Sequence, residues 1–149
     1  MKQYLSEIIS SFREISKKKF FFNFDQFSNE RKLTKSIEIV YGLRNFIGNA
    51  NKFAKENIHI NLKSDSENTI IEIEDDGNGY PRDILSKIGE PYLKSNESIE
   101  KSKIGLGLGL FIGKTLLEKN FASVNCRNSK TRSGAEVIIK WQNKDLFNI

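Results

Sequence analysis

Two alternating stretches, Asn57 to Lys63 (NIHINLK) and Thr69 to Glu74 (TIIEIE), set the strongest limit on the fold. Successive strand residues point to opposite faces, so apolar side chains at every second position describe strands with one buried face. The SDSEN between them is turn-forming, and the two runs read as a β-hairpin. Phe20 to Phe24, Ala122 to Arg127 and Ala135 to Trp141 add three more strands, the last two joined by a turn at NSKTRSG.

Helical periodicity supplies a second layer. In residues 1–17, Leu5, Ile8, Ile9, Phe12 and Ile15 recur at helical spacing. From Ser36 to Ala54 a broad apolar face runs through Ile37, Val40, Leu43, Phe46, Ile47, Ala50 and Phe53. A third helix is expected from about Leu108 to Lys119, and a short one from Arg82 to Ile88. Glu90 to Lys103 is polar and aperiodic and reads as a loop, and the last eight residues read as a loose tail. Helices and antiparallel strands in separate runs give an α+β class: a two-layer α/β sandwich with helices on one face of a mixed sheet.

Composition narrows the chemistry. With 149 residues the chain is one domain's worth. Cys126 is the single cysteine, so no internal disulfide forms and a reducing compartment fits. His59 is the single histidine and lies mid-strand, which counts against histidine metal sites and Ser-His-Asp catalysis. No apolar run approaches the roughly 18 residues of a membrane span. A net charge of +5 suits anionic ligands only modestly, and Lys17 to Lys19 read as a solvated helix end rather than a nucleic-acid patch.

Three motifs carry the functional signal. On the long helix, Asn45, Asn49 and Lys52 are spaced four and three apart and share a face. An amide oxygen can ligate Mg²⁺, and the lysine would sit beside the same phosphates. At residues 71–81 (IEIEDDGNGYP) a strand ends in Asp75 and Asp76 and turns through Gly77 and Gly79. A carboxylate at a buried strand end is a strong acceptor for an exocyclic amine. At residues 105–110 (GLGLGL), glycines open a helix, where bare N–H groups form an anion site. The spacing fits neither a Rossmann fingerprint nor a P-loop.

The order of these motifs, with GEPY at residues 89–92 between the last two, resembles the nucleotide-binding domain of sensor histidine kinases, within the gyrase/Hsp90/kinase/MutL ATPase superfamily. GLRNFIGNANKFA looks like the N box, DDGNG the G1 box, GEPY the F box and GLGLGL the G2 box. The finer spelling is most like the RegB/PrrB redox-responsive kinases. The resemblance implies a Bergerat ATP-binding fold, a mixed sheet of about five strands backed by three helices. It implies that Asn49 ligates Mg²⁺ with help from Asn45, and that Lys52 contacts phosphate. Asp75 would accept a hydrogen bond from the adenine amine, with Gly77 and Gly79 letting the base approach. Gly105, Gly107, Leu108 and Gly109 would hold the phosphates. Residues 90–104 would be a lid over ATP, with Tyr92 packing at its start.

The resemblance departs in places. Gly48 and Ala135 replace residues that are polar in many relatives, and no histidine-centred phosphoacceptor helix is present. Residues 1–19 therefore read as the tail of a dimerisation domain, and 20–149 as the catalytic domain. Its expected partners are a histidine-bearing dimerisation domain and a response regulator, not nucleic acid, with homodimers only through the dimerisation domain. The expected location is cytoplasmic, on a parent kinase in the bacterial inner membrane. Two rival functions are a serine kinase of the anti-sigma-factor type and a degenerate nucleotide-binding interaction module. A serine kinase would carry glutamate four residues before Asn49, where this chain has Asn45.

Overall fold

The computed structural model describes residues 1–25, 36–85 and 101–146, with backbone alone over 101–108. Its elements are α1 (Lys2–Ile15), β1 (Lys19–Phe24), α2 (Ile37–Phe53), β2 (Asn57–Ser64), β3 (Asn68–Asp75), α3 (Arg82–Leu85), α4 (Lys101–Lys119), β4 (Ser123–Asn128), β5 (Ala135–Gln142) and α5 (Asn143–Leu146). The five strands form one sheet in the order β1-β2-β3-β5-β4. β1 and β2 are parallel and the remaining pairs antiparallel. A parallel pair needs a crossover, and α2 lies in it.

One face of the sheet is apolar. Ile58, Ile60 and Leu62 of β2, Ile71 and Ile73 of β3, and Val137, Ile139 and Trp141 of β5 are buried there with Leu43, Phe46 and Ile47 of α2. Burying each such side chain is worth roughly 1.5–3 kcal/mol, which makes this layer the main stabilising contact. α1 adds Leu5, Ile8 and Ile9 to the same core. The opposite face carries charge: Lys63 pairs with Glu72 at 2.6 Å, and Arg127 pairs with Glu136. His59 lies on this outer face, its ring stacked on Phe21 with centroids 4.7 Å apart.

Local chemistry fixes the ends of α2. The Ser36 hydroxyl accepts from the Ile39 N–H at 3.3 Å, an N-cap that satisfies an otherwise orphaned donor. α2 and α4 pack closely because small residues meet large ones. A Cβ on Gly42 would lie 2.8 Å from Leu117 Cγ, and one on Gly113 would lie 2.8 Å from Phe46 Cε2. The Trp141 indole N–H, on a fully buried ring, donates to the Asn120 carbonyl at 3.0 Å just past the end of α4.

Two expectations change. The loop and glycine turn expected before Leu108 are helical from Lys101 onward, so α4 takes in the whole GLGLGL run. Glycine is a poor helix former, but close packing of α4 on α2 overrides that local preference. Nor is the expected loose tail loose over its described residues; 147–149 lie outside them. Asn143–Leu146 form a helical turn with Asn143 and Leu146 buried. The Asn143 side chain accepts from Thr69 Oγ1 at 2.6 Å and donates to the Asp65 carbonyl at 2.8 Å, tying this turn to the β2–β3 hairpin. The short helix expected over Arg82 to Ile88 is present over Arg82–Leu85, and 86–88 lie outside the described residues. The lid expected over 90–104 and Tyr92 lie outside the described residues, apart from 101–104 in α4. Among the described residues no helix is long and apolar enough to cross a membrane.

Candidate functional site

β3 runs in the middle of the sheet and ends at Asp75, which is only 4% exposed. Its Oδ1 accepts from the Gly77 N–H at 2.8 Å and the Ala135 N–H at 3.3 Å. Both bonds fall on Oδ1, so Oδ2 keeps its acceptor capacity. Burial pushes the Asp75 carboxyl above its ordinary value, and the Gly77 and Ala135 donors offset this only in part. Gly134, just before β5, lies flush on this strand end: a Cβ there would be 2.0 Å from the Asp75 carbonyl oxygen.

Asp76 has a different occupation. Its carboxylate accepts from the backbone N–H groups of Lys55, Glu56 and Asn57, between α2 and β2. Burial alone would raise it, but those donors outweigh burial and hold it below the usual range. Asp76 is therefore a structural clamp, and Asp75 the carboxylate facing a cavity.

That cavity is about 210 Å³ and opens between α2, the strand ends and the turn after β3. Phe46 and Phe53 of α2 wall it together with Ile73 and Val137 of the sheet, while Asp75 and Asn49 supply polar groups. Apolar walls with a few placed polar groups suit a flat heterocycle whose edge is read by hydrogen bonding. Phe46 and Phe53 belong to the apolar stripe of α2 that the sequence shows, but nothing in that stripe separates cavity wall from core.

On the helix side, Asn49 Nδ2 is buried and has no hydrogen-bond partner among the described residues. An unpaired buried amide is costly, and marks a group held ready for a ligand. Asn45 lies one turn earlier, its Nδ2 donating to the Tyr41 carbonyl at 2.9 Å. Gly109 of α4 faces both: a Cβ on it would lie 3.6 Å from the Asn49 amide and 3.8 Å from Asn45 Oδ1. Asn45, Asn49 and Gly109 thus meet at the α2–α4 seam beside the cavity. Lys52 is exposed, its ammonium 5.3 Å from the Phe53 ring centroid. Gly105, Gly107 and Leu108 lie in the backbone of α4.

The glycines after β3 make two close approaches within the chain. A Cβ on Gly77 would lie 2.2 Å from the Phe53 carbonyl oxygen. Gly79 has φ +77°, a left-handed conformation natural to glycine, and its Cβ position lies 2.7 Å from Asn128 Oδ1. Neither Asn128 nor Tyr80 stands out in the sequence, although Tyr80 lines this side of the cavity and Asn128 bonds its backbone from behind. The Tyr80 hydroxyl bonds the Cys126 sulfur, and burial pushes the Cys126 thiol up to about 11. A thiol so rarely ionised is unreactive, in keeping with a structural cysteine.

The chain resembles known proteins in sequence and in fold. Residues 34–145 match the family model described as histidine kinase-, DNA gyrase B- and HSP90-like ATPase. The sensor histidine kinase RegB of Cereibacter sphaeroides is 39% identical over 97 residues, 62% of this chain and 21% of that protein. The sensor histidine kinase CssS of Bacillus subtilis is 33% identical over 89 residues, 60% of this chain and 18% of that protein. The chain therefore spans about a fifth of the length of the curated relatives it matches. The catalytic domain of histidine kinase ThkA shares the fold with a TM-score of 0.76 at 20% identity, covering 95% of this chain and 92% of that one. The mycobacterial sensor histidine kinase MprB does so with a TM-score of 0.74 at 19% identity, covering 95% of each chain.

Proposed function

The chain belongs to the family of histidine kinase-, DNA gyrase B- and HSP90-like ATPases, and on that premise we propose that it is the ATP-binding catalytic domain of a sensor histidine kinase. It would bind Mg-ATP and pass the γ-phosphoryl group to a histidine on a separate dimerisation domain, which in turn serves a response regulator. The observation that carries the reading is the pairing of a buried carboxylate, Asp75, with a buried amide, Asn49, whose Nδ2 has no partner among the described residues, on the walls of one apolar cavity.

Each residue then has a task. The Asp75 carboxylate accepts from the exocyclic amine of adenine, while Phe46, Phe53, Ile73 and Val137 exclude water from the base. Asn49, assisted by Asn45, would hold Mg²⁺ through its amide oxygen, and an amide whose Nδ2 has no competing partner is free to turn that oxygen toward the ion. The ion supplies charge neutralisation to the triphosphate. Lys52, exposed on the same helix, adds positive charge near the phosphates. Gly105, Gly107, Leu108 and Gly109 lie past the first turn of α4, where the helix takes up their N–H groups, so holding the phosphates through those groups would require this end of α4 to open; Tyr92 would pack at the start of the lid. Such a site accelerates phosphoryl transfer by positioning and electrostatics, and the attacking imidazole comes from elsewhere. We propose that residues 1–19 lead toward that dimerisation domain while packing Leu5, Ile8 and Ile9 into the core of the catalytic domain at 20–149, with the parent kinase in the bacterial inner membrane.

The choice against a serine kinase rests on position 45. An asparagine there cannot take a proton from a hydroxyl or water, as a carboxylate would. Calorimetric titration with ATP and GTP, each with and without Mg²⁺, tests the proposal. ATP should bind, Mg²⁺ should tighten it, and GTP should compete poorly. No binding of ATP under any of these conditions would leave an interaction module as the better reading.

A further inference from the structure

We propose that Asn128 is a positioning residue for the nucleotide, its side-chain amide holding the Gly79–Tyr80 peptide so that this wall of the cavity stands opposite Asp75. The proposal rests on the nucleotide reading above and adds a residue from the far edge of the sheet.

Asn128 ends β4, the edge strand. Its Oδ1 accepts from the Tyr80 N–H at 2.6 Å, and its Nδ2 donates to the Tyr80 carbonyl at 3.1 Å. An amide side chain offers one acceptor and two donors at short reach, so it can pair with both polar groups of one backbone residue, as a neighbouring strand would. Gly79 leaves room for this contact, since any Cβ there would collide with Asn128 Oδ1 at 2.7 Å. The same strand grips the other end of Tyr80. Cys126 lies two residues before Asn128, hence on the same face of β4, and bonds the Tyr80 hydroxyl. Tyr80 itself is 7% exposed and lines the cavity.

These contacts serve the base side of the site. The amides at the metal side, Asn45 and Asn49, stand on α2 across the cavity and touch none of them. Removing the Asn128 amide therefore loosens the turn that carries Gly79 and Tyr80 while leaving the α2–α4 seam intact. Two partly exposed hydrogen bonds of this kind should alter affinity by about five- to tenfold.

The test measures the Kd for ADP with and without Mg²⁺, and the Tm, for the unmodified chain and for Asn128→Ala and Asn128→Asp. The aspartate keeps the shape and the acceptor but loses the donor to the Tyr80 carbonyl. If Asn128 positions the base wall, both variants bind ADP about five- to tenfold more weakly, and the factor by which Mg²⁺ tightens ADP is unchanged. An unaltered ADP Kd in both variants, whatever the Tm, overturns the proposal. So does a loss of affinity accompanied by loss of the Mg²⁺ factor, because the whole site would then have been disturbed. If Asn128→Ala does not fold, the near-isosteric Asn128→Asp carries the same comparison. Failure of the unmodified chain to bind ADP would instead overturn the nucleotide reading, and this proposal with it.

Discussion

Asp75 and Asp76 are adjacent in the chain, yet their carboxylates answer to opposite environments: burial raises the first, while backbone N–H groups of Lys55, Glu56 and Asn57 hold the second low. The alternation of a strand accounts for this. One side chain turns to the apolar face and the cavity, and its neighbour to the junction between α2 and β2. A buried carboxylate with a raised pKa is a cost to the fold. Its unfolded form ionises at lower pH than its folded form, so stability declines as pH rises from the ordinary aspartate range through the raised value.

Asp75→Asn should therefore keep or raise the Tm at neutral pH, because the amide oxygen can still accept from Gly77 and Ala135 without a buried charge. Adenine nucleotide affinity should fall about tenfold to a hundredfold, the worth of a charge-assisted hydrogen bond. Discrimination between ATP and GTP should shrink, since an amide can turn its donor toward a guanine carbonyl. In the unmodified chain, affinity should weaken as pH is lowered through the raised Asp75 value, and that step should vanish in the variant. A lower Tm with an unchanged ATP-to-GTP ratio would assign Asp75 to the turn alone. Calorimetry and thermal melts across pH decide it.

Asn49→Ala should abolish the tightening of ATP by Mg²⁺ and leave metal-free binding less affected. The substitution also removes a buried Nδ2 that has no partner among the described residues, so the Tm should not fall as it would for a satisfied core amide. Persistence of the full Mg²⁺ effect would remove Asn49 from the metal.

Gly109→Ala separates fold from function. The new Cβ would meet the Asn49 amide at 3.6 Å, an ordinary contact, and alanine is about 1 kcal/mol better in a helix than glycine. The Tm should rise by about 2–5 °C. Mg-ATP affinity should fall several-fold, because the methyl group occupies the space in front of Asn45 and Asn49. A stabilised variant that binds Mg-ATP normally would show that this space is not used.

Incubation of the chain with γ-labelled ATP should leave it unlabelled. His59, its single histidine, stands on the outer sheet face stacked on Phe21, with the sheet between it and the cavity. Adding the dimerisation domain of the parent kinase should place acid-labile label on that domain. Label on His59 would sink the reading.

Much of this was legible because it is local. The period-two runs of β2 and β3 and the capped apolar stripe of α2 each declare themselves within a few residues. The parts that were hidden depend on distant partners. Nothing before Leu108 signals that the helix begins as early as Lys101, because glycine is a poor helix former and α4 is held by packing on α2. Asn143 is held by Thr69 and Asp65, more than 70 residues back, so the terminal turn has no local pattern. The insertion of β5 between β3 and β4, which brings Gly134 onto Asp75, is a matter of pairing across the chain. Asp75 could be singled out only through its motif, and Asn128, an exposed polar residue before a turn, carried no signal at all.

Trp141 is the single tryptophan, fully buried, with its indole N–H bound to the Asn120 carbonyl. The molecule thus carries one indole fluorophore, excited selectively over the tyrosines at long wavelength, in a dry, fixed setting, and its emission should be blue relative to that of free indole in water. It sits on β5, six residues beyond Ala135 at the cavity, and is tethered just past the end of α4. Occupancy confined to the base pocket should leave its spectrum unchanged, whereas a displacement of α4 that pulled on Asn120 should alter it. Unfolding would shift it fully to the red. One unlabelled optical signal can therefore distinguish a filled pocket, a moved helix and a lost fold.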